Sequence, residues 1–190
     1  LIEEIAPSPG ERVLDLCTGT GDLAVLCEKR GAQVVGLDIS LPMLKRATRK
    51  TSRSLLVVGD AENLPFSSQS FHRVIMGFGL RNLSCPRRGL KETYRVLKPG
   101  GTLGILEFSP SPSRWIRSPY RLYLKTILPL IGGLVSGNRG AYDHLSSSIE
   151  EFLKPEEVIK EMEGIGFSRV RHLKLTMGTV IIYLGTKEEK

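Results

Sequence analysis

Four aspartates and two glycines carry most of the chemistry this sequence offers. They begin in the run Asp15-Leu16-Cys17-Thr18-Gly19-Thr20-Gly21-Asp22. Gly19 and Gly21 lack a Cβ, so the backbone can turn sharply there and come close to a ligand. A helix that follows would aim its first amide groups at the same place. Asp38 ends a second apolar run, where a carboxylate can accept both hydroxyls of a ribose. Asp60, in Gly59-Asp60-Ala61-Glu62, can accept from an adenine amino group while the Ala61 amide donates to a ring nitrogen. A nicotinamide dinucleotide satisfies Asp38 as well as an adenosyl sulfonium does. Asp15 before the glycines and Asp22 after them separate the two, because they repel a pyrophosphate and hold an ammonium or a sulfonium. The plainer alternatives are a tight turn with no ligand for the glycines and a turn or helix-cap aspartate for Asp60.

These residues need strands that end at one level, and the sequence supplies them. Arg12–Cys17 reads as a buried strand before the glycine turn, and Leu23, Leu26, Cys27 and Arg30 follow helical spacing after it. Gln33–Asp38, Leu55–Val58, Arg73–Met76 and Thr102–Phe108 are further strands, with Pro42 opening one intervening helix and Pro86–Leu97 forming another. The spacing predicts a helix from Pro155 to Gly164, then strands Val170–Leu175 and Val180–Leu184. Only Thr176–Thr179 separates that last pair, which predicts an antiparallel hairpin. The expectation is an α/β, doubly wound, Rossmann-like fold: a seven-stranded, mostly parallel sheet with an antiparallel C-terminal hairpin. Residues 110–150 break the alternation and read as a long insertion.

A length of 190 residues suits one domain, which buries roughly 70% of its unfolded surface without a disulfide or metal staple. The composition is that of an ordinary globular chain, 41% hydrophobic and 25% charged, which excludes a disordered protein. Cys17, Cys27 and Cys85 have no metal-ligand spacing and fit a reducing, cytoplasmic setting. The apolar stretch 126–135 is about half the roughly 20 residues a membrane span needs, and Pro129, Gly132 and Gly133 interrupt it. The formal charge of +7 implies an anionic partner. It is local, concentrated at Lys45, Arg46, Arg49, Lys50 and Arg53 and again between Arg87 and Lys125.

VLDLCTGTGD, GLDIS-LPML, GDAENLPF and LKPGG resemble the successive motifs of class I S-adenosylmethionine-dependent methyltransferases. GFGLRN (77–82), LEFS (106–109), LPLIGGLV (128–135) and YDHLSSSI (142–149) are similar to the quinone-ring C-methyltransferases of menaquinone and ubiquinone biosynthesis. The likeness runs in order along nearly the whole chain, and the GFGLRN segment is its most specific part. It implies S-adenosylmethionine as cofactor, S-adenosylhomocysteine as product, no metal, and a polyprenylated quinol as acceptor. Asp15, Thr18, Gly19, Thr20 and Gly21 would hold the methionine part, Asp38 the ribose, Ile39 and Met43 the two adenine faces, and Asp60 with Ala61 the adenine edge, with Phe78 also among the cofactor-binding residues. Phe78 to Asn82 would lie where the acceptor meets the methyl group, with Glu107, Phe108 and Ser109 beside them. The insertion would cover the acceptor, with Tyr142, His144 and Ser148 facing it.

For the chemistry, Arg81 is expected to stabilise a developing phenolate, with a surface salt bridge as its plain alternative. Asn82 and Tyr142 join it at the acceptor, and His144 is a candidate proton relay. The chain departs from the family pattern at His144, where Tyr is usual, and at His72, expected to be structural at a strand start. It begins at Leu1, and the resemblance implies an upstream segment that closes over the cofactor. Arg114, Arg117, Arg121 and Lys125 interleave with Trp115, Tyr120, Leu122 and Leu124, which suits an anionic membrane interface. The expectation is therefore a cytoplasmic enzyme with peripheral contact on the inner membrane face. A nucleic-acid partner is not expected, because Phe78-Gly79-Leu80-Arg81-Asn82 replaces the Asn/Asp-Pro-Pro-aromatic run of amino-directed base methyltransferases, and Cys85 belongs to a helix start. A methyltransferase of another small molecule or of RNA, a non-catalytic cofactor-binding protein and a homo-oligomer stay open, as does naphthoquinol against benzoquinol.

Overall fold

The computed structural model describes residues 1–110, 115, 120 and 147–189. Seven strands form one sheet: β1 (Arg12–Leu16), β2 (Gln33–Asp38), β3 (Leu55–Val58), β4 (Phe71–Gly77), β5 (Leu97–Phe108), β6 (Phe167–Leu175) and β7 (Val180–Lys187). The order is β3-β2-β1-β4-β5-β7-β6. The first five strands pair in parallel, and β7 runs antiparallel between β5 and β6. The expected fold class and the antiparallel final pair are both present.

The helices are α1 (Ile2–Ile5), α2 (Asp22–Glu28), α3 (Leu41–Ala47), α4 (Pro86–Val96) and α5 (Pro155–Ile165), with a further helical stretch at 147–151. They cover both faces of the sheet, which is why the inner strands are nearly continuous apolar runs. One core layer holds Leu14, Leu16, Leu37, Met76 and Ile105 against Leu80, Leu90, Val158 and Met162. The other holds Val13, Val34, Ile75 and Ile182 against Ile2, Ile5, Ala24 and Cys27.

One boundary differs from the sequence reading. Pro99-Gly100-Gly101 is expected to separate helix from strand, but β5 begins at Leu97 and runs through it. Leu97 pairs with Phe71, and the register then shifts between Phe71 and Arg73. The irregularity absorbs a segment in which proline has no ladder donor. His72 sits at this place, and its Nδ1 accepts from the Arg12 amide at 3.0 Å, joining β4 to β1. It is structural, as expected.

Candidate active site

Strands β1 and β4 are neighbours whose connections leave in opposite directions, so a crevice opens beyond their carboxyl ends. A cavity of about 400 Å³ lies there. Gly19, Asp38, Ile39, Met43, Asp60, Ala61, Phe78 and Asn82 line it, all of them candidates from the sequence. Cys17, Leu37, Ser40, Gly59, Glu62, Gly79, Leu83 and Ser84 complete the wall. Most of these additions are immediate neighbours of the expected residues.

Cys17 and Gly19 bring the turn after β1 to the cavity. Asp15 is 1% exposed, and its Oδ2 accepts from the Thr18 hydroxyl at 2.6 Å. Its Oδ1 is buried with no hydrogen-bond partner among the described residues. Burial pushes the Asp15 carboxyl up to about 7, against the opposing pull of the Thr18 hydroxyl and the Ala24 amide, with the Asp38 and Asp22 charges adding to the rise. Asp38 staples two loops: its Oδ2 accepts from the Gly19 amide and its Oδ1 from the Ser40 amide, each at 2.8 Å. Each oxygen retains a lone pair for a ligand hydroxyl. Asp60 combines two uses that the sequence offers as alternatives. Its Oδ1 accepts from the Glu62 amide at 2.8 Å, as a turn aspartate does, and the residue also lines the cavity.

Asp15, Thr18, Thr20 and Gly21 do not line the cavity wall. Thr20 donates to Asp22 Oδ2 at 2.7 Å and accepts from Lys50 Nζ at 3.1 Å. Asp22 is ion-paired with Lys50 at 2.8 Å, on the exposed surface. Gly21 has φ +80°, and a Cβ there would stand 3.0 Å from Thr51 Cγ2 and 3.1 Å from Ala47 Cβ. Its glycine therefore seats α2 against the end of α3. Cys17 has φ +54°, and burial pushes its thiol up to about 12, so it stays protonated.

Phe78, Gly79 and Asn82 belong to the cavity wall, whereas Leu80 and the candidate Arg81 of the same segment do not. Phe78 has φ +56°, and a single 3-10 turn follows over Leu80–Asn82. The plain alternative for Arg81 is a surface salt bridge, but the ion pair it makes is buried. Its Nη1 lies 2.7 Å from Glu107 Oε1, and the two side chains are 8% and 0% exposed. The same Nη1 donates to the Phe78 carbonyl at 2.7 Å, and the Arg81 amide donates to Glu107 Oε2 at 3.2 Å. The guanidinium lies 5.3 Å from the Phe108 ring centre, and that ring stacks on Phe78 at 4.6 Å. Arg81 Nε is buried without a partner among the described residues. Burial raises the Glu107 carboxyl above its ordinary range, while Arg81 and the Phe108 and Arg81 amides pull it back. Asn82 Nδ2 donates to the Phe78 carbonyl at 3.3 Å.

Tyr142 and His144 lie outside the described residues, as do Arg114, Arg117, Arg121 and Lys125. Among the described residues there is no group of His, Cys, Asp or Glu able to hold a metal, and no helix long and apolar enough to cross a membrane.

The chain matches the ubiE/COQ5 methyltransferase family over residues 1–187. It is 45% identical to the demethylmenaquinone methyltransferase of Thermus thermophilus over 183 residues, covering 93% of this chain and 83% of that one. It is 42% identical to the enzyme of the same name from Clavibacter sepedonicus, covering 96% and 76%. Identity to the ubiquinone/menaquinone biosynthesis C-methyltransferase UbiE of a Ruegeria species is 35%, covering 98% and 78%. Solved structures share the fold at lower identity. A putative methyltransferase from Bacillus halodurans superimposes with a TM-score of 0.71 at 20% identity, covering 99% of this chain and 97% of that one. The [4+2]-cyclase SpnF superimposes at 0.76 and 17% identity, covering 100% and 78%, so the sheet alone does not fix the reaction. On the family match and on relatives above 40% identity along nearly its whole length, the chain belongs to the ubiE/COQ5 methyltransferase family.

Proposed function

We propose that this chain transfers a methyl group from S-adenosylmethionine to a ring carbon of a polyprenylated quinol, in menaquinone or ubiquinone synthesis. The names carried by its relatives support the reaction. The observation that carries it is the buried Asp15 carboxyl, whose Oδ1 has no hydrogen-bond partner among the described residues, two residues before the cavity-lining Cys17 and in the same chain turn as Gly19, with Asp38 and Asp60 in the cavity wall. An orphaned buried carboxylate calls for a cationic partner, and the ammonium and sulfonium of S-adenosylmethionine fit that demand.

When bound, S-adenosylmethionine supplies a methyl carbon on a sulfonium, an electrophile whose leaving group is neutral. Asp15 and Gly19, backed by Thr18, Thr20 and Gly21, hold the methionine end. Asp38 accepts from the ribose, Ile39 and Met43 flank the adenine, and Asp60 with Ala61 reads its edge. Phe78 and Asn82 face the acceptor side with Arg81 behind them, and Tyr142 and His144 are assigned there from sequence alone. Positioning of this kind supplies roughly 7–11 kcal/mol of a barrier, so the protein needs no nucleophile of its own. A quinol ring carbon gains nucleophilicity as a neighbouring hydroxyl loses its proton, and charge gathers on that oxygen. Arg81 bears on it from behind Phe78 and Asn82, a buried guanidinium whose net charge Glu107 already compensates. His144 is the relay candidate for the hydroxyl proton, and the ring hydrogen leaves as a proton once its carbon carries the methyl group, which restores the aromatic quinol. A polyprenyl acceptor resides in a bilayer, so the protein works at an anionic membrane surface.

The test is transfer of a labelled methyl group by the full-length protein. Reduced demethylnaphthoquinol and demethylbenzoquinol acceptors run in parallel with RNA. Label in a quinol supports the proposal and names the ring. Label only in RNA, or cofactor binding with no label transferred, overturns it.

A further inference from the structure

The buried Arg81–Glu107 pair holds a stretch of cavity wall that carries strained backbone. Glu107 lies at the end of β5, in the middle of the sheet, and is fully buried. Its two oxygens receive three donors from the opposite loop and from its own strand: Arg81 Nη1 at 2.7 Å and the Phe108 amide at 2.9 Å on Oε1, and the Arg81 amide at 3.2 Å on Oε2. Through the doubly engaged Nη1, the same carboxylate fixes the Phe78 carbonyl, which also receives Asn82 Nδ2. Phe78 and Asn82 line the cavity, whereas Arg81 and Glu107 stand behind them. A non-glycine residue at φ +56° costs on the order of 1 kcal/mol or more and persists where its surroundings over-determine it.

We propose that Glu107 is a positioning residue: by gripping both the backbone amide and the guanidinium of Arg81, it sets the Phe78–Asn82 wall against which the acceptor lies. The inference rests on the methyl-transfer reading for its consequence, but the grip itself stands on this geometry. Glutamine at 107 keeps the size and one accepting oxygen. Its amide group would face either the Arg81 amide or the donors now on Oε1, so one arm of the grip is lost.

Three variants of the full-length protein decide it: Glu107→Gln, Arg81→Met and the two combined. All should bind S-adenosylhomocysteine within about threefold of the parent, because none of the residues assigned to its methionine, ribose or adenine is substituted. Turnover of a short-chain naphthoquinol should fall about a hundredfold in Glu107→Gln, the cost of a misplacement near 1 Å. The combined variant should be slower than Arg81→Met alone by far less than the loss that Glu107→Gln causes in the parent, since only the backbone-amide arm of the grip is left to lose. Independent of turnover, amide hydrogen exchange should accelerate at 78–82 and at Phe108 in Glu107→Gln, with 15–22 unchanged. Parent-like turnover in Glu107→Gln, multiplying losses in the combined variant, or unchanged exchange at 78–82 each overturn the proposal. So does loss of S-adenosylhomocysteine binding in step with turnover, which would make Glu107 a folding residue. If the parent methylates no quinol, the function fails while the exchange result still decides the grip.

Discussion

At the scale of the residue, Asp15 sets the pH behaviour of the site. Its carboxyl is raised by burial to about 7 in the folded chain, above the 3.8 it would have unfolded. The folded state therefore holds the proton more tightly. The stability this gives is complete below the unfolded value and is lost as pH rises through about 7. A tenfold change in proton affinity is worth about 1.4 kcal/mol, so the ionised carboxylate costs the ligand-free fold up to roughly 4 kcal/mol at pH 8. Asp15→Asn should consequently raise Tm relative to the parent at pH 8 and change it little at pH 4. A cationic ligand reverses the balance, because it binds the carboxylate form. Affinity for S-adenosylmethionine should rise with pH, by at most about tenfold per pH unit, up to about pH 7 and then level off, with Asn at this position flattening the curve. Titration calorimetry at several pH values checks both slopes, and a pH-independent parent would show that Asp15 does not meet the cation.

At the scale of the element, the cavity is held together by the contact between the turn after β1 and the turn after β4. A Cβ on Gly79 would stand 2.6 Å from Cys17 Cβ, 2.9 Å from its Sγ and 3.1 Å from Met76 Cγ. Gly79→Ala should cost about 1–3 kcal/mol, the usual range for overpacking, and should weaken cofactor binding by moving the two turns apart. Cys17→Gly removes both clashing atoms and relieves the left-handed backbone at Cys17. Adding it to Gly79→Ala should restore most of the loss, as chemical denaturation would show. This contact also marks what sequence can and cannot say. Asp38, Asp60 and Gly19 are legible because strand ends converge, so a polar residue closing an apolar run is placed by the fold itself. Gly21 is legible as a glycine but not as the seat for Ala47 and Thr51, since only the packed structure sets α2 against α3. Glu107 is legible as a neighbour of the acceptor wall, but its grip on Arg81, 26 residues away, follows from the parallel register of β4 with β5. The continuation of β5 through Pro99 is hidden from sequence because a register shift makes room for it.

At the scale of the whole molecule, charge is divided between the two sides of the crevice's cofactor end. Asp38, Asp60 and Glu62 line the cavity, whereas the 41–58 stretch exposes Lys45, Arg46, Arg49 and Arg53 together with Leu41, Leu55 and Val58. Basic and apolar side chains together suit an anionic bilayer better than nucleic acid, and each basic residue contributes about 1 kcal/mol near such a surface. The protein should sediment with phosphatidylglycerol vesicles and leave them as salt rises. Lys45→Glu, Arg46→Glu and Arg49→Glu together should weaken that binding by about tenfold or more. Equal binding to neutral vesicles would contradict the assignment. The sheet order also constrains how the chain is made. Among the described strands β6 borders β7 alone, and β7 fills the slot between β5 and β6. A ribosome that has released β6 has produced a strand with nowhere to pair, and the exposed edge of β5 must wait beside it. The nascent chain thus leaves the edge of β5 and the whole of β6 unpaired until β7 emerges, a window in which chaperone capture or edge-to-edge association competes with completion of the sheet.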